Sequence, residues 1–119
     1  MHLTLHTDFS LRTLIYVALK PADALSTVSE VAEVFDIPRN HLVKVVHRLG
    51  QEGLLQTVRG QHGGIRLALP ADEINIGDVV RRMEPGMDPI DCNKPLSRCR
   101  ILPACRLKRA LLEASAAFL

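Results

Sequence analysis

The stretch from Thr27 to Leu69 constrains the fold more than any other part of the chain. It opens on Thr27-Val28-Ser29-Glu30, a capping-box pattern in which the hydroxyl and the carboxylate each satisfy one backbone amide that a helix start leaves unbonded. Val28, Val31, Ala32 and Phe35 share one helical face, which predicts a helix to about Phe35. Asp36-Ile37-Pro38 allows only a tight connection, and Pro38 suits the first turn of the next helix, where its missing N–H costs nothing. Leu42, Val45, Val46 and Leu49 form the buried stripe of that helix, which reaches about Gln51, with Gly53 just past its end. Two short apolar runs follow, Leu54 to Val58 and Ile65 to Leu69, separated by Arg59-Gly60-Gln61-His62-Gly63-Gly64. A glycine-rich loop between such runs predicts a β-hairpin. Two short helices across a tight turn, then a glycine-tipped hairpin, are the order of a winged helix-turn-helix.

The flanks complete a mainly α architecture with one small hairpin. Leu11, Leu14, Ile15 and Ala18 recur at helical spacing and predict a first helix from Phe9 to about Lys20. Asp8 or Thr7 is positioned to cap it, and Pro21 to stop it. After Pro70, the residues Ile76, Val79, Val80 and Met83 predict a buried face on a helix from Ile76 to about Glu84. Residues 85–103 hold four prolines and read as an irregular loop, a length that is usually functional or disordered inside a small protein. A last helix begins at Ala104, with Leu107, Leu111, Ala114 and Phe118 near heptad spacing, a pattern suited to a partner helix. The expected organisation is a DNA-binding domain over residues 1–84, a cysteine-rich loop over 85–103, and a dimerisation helix over 104–119 that is either short or cut off at Leu119.

Charge distribution says what the reading head holds. The whole chain is nearly neutral, at +2. From Pro38 to Arg66, however, Arg39, Lys44, Arg48, Arg59 and Arg66 face a single acid, Glu52, whereas the preceding stretch from Asp23 to Asp36 has acids and no Lys or Arg. A basic segment on a near-neutral chain is the footprint of a polyanion. With the apolar stripe of the second helix turned inward, Arg39, Asn40, Lys44, His47 and Arg48 are left toward solvent. Asn40 suits an adenine edge and Arg39 or Lys44 a guanine edge in the major groove, while other basic residues suit phosphates. The candidate DNA-binding residues are therefore Arg39, Asn40, His41, Lys44 and Arg48 on the helix, with Arg59, His62 and Arg66 on the hairpin.

Three cysteines, Cys92, Cys99 and Cys105, are the only ones in the chain and all lie in or beside the proline-rich loop. Lys94, Arg98, Arg100, Arg106, Lys108 and Arg109 surround them, and cations beside a thiol favour its thiolate. Thiolates on a loop suit a soft metal centre such as an iron–sulfur cluster. Three ligands leave one place unfilled, and Asp8, His6, His2 or an exogenous molecule are candidates for it. A structural zinc site, which prefers four protein ligands, and a thiol-only redox switch fit the same spacing.

Composition and motif content exclude other classes. With 47% apolar residues the chain is not disordered, and charged residues interrupt every apolar run before it reaches bilayer length. The N-terminus lacks the basic start and apolar stretch of a signal peptide, so a cytoplasmic location without membrane attachment is expected. In that reducing compartment, cysteines serve as thiols or metal ligands more often than as disulfides. No Cys–His pair with local support, nucleotide-binding glycine fingerprint or metal-hydrolase motif is present, so an enzyme is not expected.

Successive blocks of the chain resemble the NsrR family of nitric-oxide-sensing repressors, which is grouped with the iron–sulfur regulator IscR. They are Thr7-Asp8-Phe9-Ser10-Leu11-Arg12, Ser29-Glu30-Val31-Ala32, Arg39-Asn40-His41-Leu42-Val43-Lys44, Val58 to Leu67, Ile76-Gly77-Asp78-Val79-Val80, and Pro103-Ala104-Cys105-Arg106-Leu107-Lys108. The resemblance implies a homodimer that represses genes of nitric oxide detoxification by binding double-stranded operator DNA. It implies a cluster of the 2Fe–2S or 4Fe–4S type on Cys92, Cys99 and Cys105, which nitric oxide alters or destroys so that DNA is released. In some relatives an aspartate matching Asp8 is the fourth ligand and comes from the other subunit. An IscR-type cluster sensor is the nearest alternative, but the histidine expected shortly after the third cysteine is replaced here by Leu107, Lys108 and Arg109. A thiol-redox or zinc-dependent winged-helix regulator is the other.

Overall fold

The computed structural model describes residues 2–88, 90, 92 and 99–119. It divides into two units, His2–Glu84 and Pro85–Leu119.

The first unit contains helices α1 (Leu5–Ala18), α2 (Val28–Phe35) and α3 (Arg39–Gln51), strands β1 (Leu55–Val58) and β2 (Gly64–Leu67), and helix α4 (Ile76–Met83). The expected helix pair is present. Thr27 Oγ1 accepts from Glu30 N at 3.0 Å and Glu30 Oε2 accepts from Thr27 N at 3.2 Å, so both halves of the capping box are formed. Asp36 ends α2 in the left-handed region at φ 51°, which a short polar side chain tolerates. Pro38 sits at the N-cap of α3, and Leu42, Val45, Val46 and Leu49 are buried as expected.

The hairpin is antiparallel, pairing Leu55 with Leu67 and Val58 with Gly64. Ser26 adds an isolated antiparallel bridge to β2 that the sequence did not signal. Its N–H donates to Ile65 O at 3.0 Å and its carbonyl accepts from Ile65 N at 2.7 Å. The close approach explains Gly64, because a Cβ there would lie 2.6 Å from Ser26 O. Gly63 is still tighter, with a Cβ position 2.1 Å from Val58 O.

The first helix differs from expectation at both ends. It starts at Leu5 instead of Phe9, because Thr4 and not Asp8 or Thr7 is the cap, with Thr4 Oγ1 accepting from Thr7 N at 3.3 Å. It ends at Ala18, ahead of Pro21. Its inward face is Thr7, Ser10, Thr13, Leu14 and Val17, whereas Ile15 is 53% exposed. Two of these buried hydroxyls find partners one turn back: Ser10 Oγ donates to His6 O and Thr13 Oγ1 to Phe9 O, both at 2.7 Å. Small satisfied side chains let α1 lie against α3, α4 and β2 around a core built on Val31, Leu42, Val45, Leu49, Ile65 and Val79. On α4, Val79, Val80 and Met83 are buried as expected, but Ile76 is 53% exposed because it occupies the first turn.

In the second unit, a 3₁₀ turn at Leu102–Ala104 leads into α5 (Arg106–Phe118). The helix begins two residues later than expected because Cys105 is its cap. Ser115, the buried residue of α5, donates to Met87 O at 3.1 Å. The parts of the expected irregular loop at Pro89, Asp91 and 93–98 lie outside the described residues.

Candidate nucleic-acid interface and cysteine site

Helix α3 presents Arg39, Asn40, Lys44, His47 and Arg48 as exposed residues, opposite its buried stripe. They are not equivalent. Arg39 Nε donates to Ser29 Oγ at 3.1 Å, so the start of α3 is tied to α2 by the side chain expected to read DNA. Arg48 pairs with Glu52 at 2.8 Å and donates to Arg82 O at 3.3 Å, which turns it toward the end of α4. His41 is half-buried, its ring edge-on to Phe9 at 4.9 Å and 75°. Asn40, His41 and Lys44 line one cleft together with His6 and Pro38.

His6 is the residue of this surface that the sequence did not place there. It belongs to α1, and only the packing of α1 on α3 brings it to the cleft. Its pKa is lowered by burial first, then by the charges of His41 and Arg48, with Glu84 opposing. On the hairpin, Arg66 Nε donates to Gln56 Oε1 across the strands at 2.9 Å, while Arg59 and His62 are exposed in the loop.

Cys92 is half-buried, Cys99 exposed and Cys105 half-buried, and all three are free thiols. Cys105 Sγ accepts the Lys108 N–H at 3.4 Å, so a sulfur lone pair closes the start of α5. Soft, uncrosslinked sulfurs suit a cluster in donor chemistry. Among the described residues, no three His, Cys, Asp or Glu side chains are grouped to hold a metal ion. Asp8 does not cap α1; it lies within the helix, where Arg12 Nε donates to its Oδ1 at 3.0 Å.

The model of the Rrf2 family, described as an iron-dependent transcriptional regulator, matches residues 3–119. The chain belongs to the Rrf2 family. Two curated relatives carry the name HTH-type transcriptional regulator NsrR. The one from Shouchella clausii (strain KSM-K16) is 50% identical over 120 residues, which cover 100% of this chain and 80% of the relative. The one from Halalkalibacterium halodurans is 48% identical over 120 residues, covering 100% and 82%. The oxidised form of Staphylococcus aureus CymR superposes with a TM-score of 0.77 at 25% identity, covering 99% of this chain and 86% of that one. IscR of T. potens gives a TM-score of 0.73 at 19% identity, covering 99% and 76%, and shows the fold alone. This Rrf2 protein is thus a DNA-binding transcriptional regulator of the winged-helix type and not an enzyme. No helix among its described residues is long and apolar enough to cross a membrane.

Proposed function

We propose that this Rrf2 protein is a cytoplasmic, homodimeric repressor whose hold on operator DNA is set by an iron–sulfur cluster on Cys92, Cys99 and Cys105 and relieved by nitric oxide. The observation that carries the reading is the pairing, in one chain half-identical to regulators named NsrR, of a basic helix with three free thiols that precede α5 in the sequence. The family description as iron-dependent supports the metal. When bound, such a cluster supplies iron that reacts with nitric oxide.

The rest of the work falls to the protein's own residues. Arg39, Asn40 and Lys44 read base edges, and Arg59, His62 and Arg66 hold the hairpin to the duplex. His41 and Arg48, also on α3, steady that helix against α1 and α4, since both have partners there. Asp8 of the partner subunit is the fourth ligand in this reading. It would have to exchange the exposed Arg12 pair for the cluster, a modest cost because such pairs contribute about 0.2–1 kcal/mol. The cluster is of the 2Fe–2S or 4Fe–4S type.

The test is purification without oxygen. Brown protein containing iron and sulfide, with absorbance that changes on adding a nitric oxide donor and with simultaneous loss of duplex binding, is the expected result. Cys99→Ala should bind duplex without responding to nitric oxide. Colourless protein with stoichiometric zinc, or a Cys99→Ala variant that still releases DNA on exposure, would overturn the proposal.

A further inference from the structure

We propose that the cleft between the first turn of α1 and the first half of α3 seats a phosphate of the DNA backbone, with His6 as one of its contacts. The inference rests on the DNA-binding reading above and adds a residue from a different helix to it. The cleft has a volume of about 360 Å3 and is lined by His6, Pro38, Asn40, His41 and Lys44.

Its wall offers a donor from each of four side chains. Lys44 and Asn40 carry N–H groups, and each imidazole carries at least one in any protonation state. Pro38 has no N–H to offer, and its carbonyl already accepts from His41 N at 3.0 Å and Leu42 N at 3.1 Å. No acid is among the lining residues. The two carboxylates near the start of α1 are engaged elsewhere, Asp8 by Arg12 and Glu84 by Thr4. A group that only accepts hydrogen bonds and carries negative charge matches these N–H groups and the Lys44 charge.

The cleft is also held in shape. His41 is fixed by its edge contact with Phe9, and the His6 carbonyl is bonded by Ser10 Oγ, so neither element has to be ordered by the ligand. Asn40 and Lys44 are one turn apart on α3 and open to solvent, which leaves the mouth accessible. A phosphate seated here would set the register of α3 on the duplex without reading sequence.

The test uses the full-length protein, purified without oxygen, and a duplex that it selects from a random pool. His6→Ala and His6→Gln are compared with the unsubstituted protein on that duplex, on an unrelated duplex, and on selected duplexes in which one phosphate at a time is a neutral methylphosphonate. His6→Ala is expected to weaken both natural duplexes by the same factor, about tenfold. At one backbone position the methylphosphonate should weaken the unsubstituted protein and leave His6→Ala unaffected. His6→Gln, which keeps an N–H, should recover part of the loss, and the His6 ring signals should shift on adding duplex. Unchanged affinity of His6→Ala, a loss confined to the selected duplex, or additive losses at every phosphate would overturn the inference. So would a His6 signal that shifts with inorganic phosphate but not with duplex. Failure of the DNA-binding reading itself would be seen earlier, as an unsubstituted protein that selects no duplex.

Discussion

Glu84 holds Thr4 twice, its Oε1 accepting from Thr4 N at 2.7 Å and from Thr4 Oγ1 at 3.1 Å. Thr4 caps α1, and Glu84 is the last residue before Pro85. Burial opposes the charge on Glu84, but the Thr7 and Thr4 donors outweigh it and keep its pKa below the usual value. Two residues earlier, Arg82 Nη1 donates to Glu52 O at 3.3 Å while its carbonyl accepts from Arg48 Nη2 at 3.3 Å. The chain that leads into the cysteine segment is therefore bonded both to the start of α1 and to the end of α3.

Removing that carboxylate should cost stability. Glu84→Ala takes away an acceptor of charge-assisted bonds, and about 1 kcal/mol is expected. That corresponds to a fall in melting temperature of roughly 4–8 °C for a unit of this size. Thr4→Ala should cost a similar amount through the lost cap. Because the two share bonds, the double variant should lose less than the sum of the singles, as measured by thermal denaturation. Strict additivity would show that the two residues act independently.

Glu30 makes stability depend on acid. Its carboxylate is bonded by Lys20 Nζ, by Tyr16 OH at 2.8 Å and by Thr27 N, which together hold its pKa at about 2. The folded value lies below the unfolded one of 4.5, so the contribution is complete above that value and fades as pH falls toward about 2. The side chain is 35% exposed, and solvent screening limits the contribution to about 1 kcal/mol. Glu30→Gln should melt lower than the unsubstituted protein near neutral pH, and the gap should close on acidification. A gap that stays constant with pH would contradict this account.

Gly63 and Gly64 should tolerate no side chain. Gly63→Ala sets a carbon against the Val58 carbonyl, and Gly64→Ala sets one against Ser26 O, both of them backbone that cannot swing aside. Each substitution is expected to cost about 1–3 kcal/mol and to shift the hairpin loop that carries Arg59 and His62. Amide exchange at Ile65, whose N–H is bonded to Ser26 O, is the direct readout, and it should quicken in the Gly64→Ala protein.

The parts of this fold that were legible in the sequence are those with local causes. Thr27 and Glu30 mark a helix start, Gly53 a helix end, and the glycines around His62 a hairpin, each through the backbone chemistry of a few neighbouring residues. The start of α1 was not legible, because its inward face is Thr7, Ser10 and Thr13, and apolar periodicity does not register buried hydroxyls. Cys105 escaped as a cap because sulfur is a weak acceptor and seldom serves there. Ser26 on Ile65 and His6 beside Lys44 are meetings between distant segments, for which no local pattern exists. The same division runs through the site: the reading helix was visible as a charge pattern, but the internal partners of Arg39, Arg48 and His41 were not.

Helix α5 supplies the last prediction. Leu107 is 65% exposed and Phe118 53%, so the expected stripe of Leu107, Leu111, Ala114 and Phe118 begins and ends on uncovered apolar side chains, with Leu112 next to it 37% exposed. Its buried residue is instead Ser115, a polar side chain bonded to Met87 O, while Leu107, Leu112 and Phe118 stay exposed among the described residues. Apolar residues repeated along a helix in this way are covered by another helix in coiled-coil packing, and a second copy of the chain supplies an identical stripe. Leu107→Glu together with Phe118→Glu should therefore convert a dimer to a monomer in sedimentation equilibrium. Far-UV circular dichroism should be little changed, because α5 keeps its Cys105 cap and its Arg109–Glu113 pair. Binding to a duplex with two symmetric half-sites should fall far more than binding to a single half-site, since one reading helix no longer brings the other with it. A double variant that remains dimeric would place the subunit contact elsewhere on the molecule.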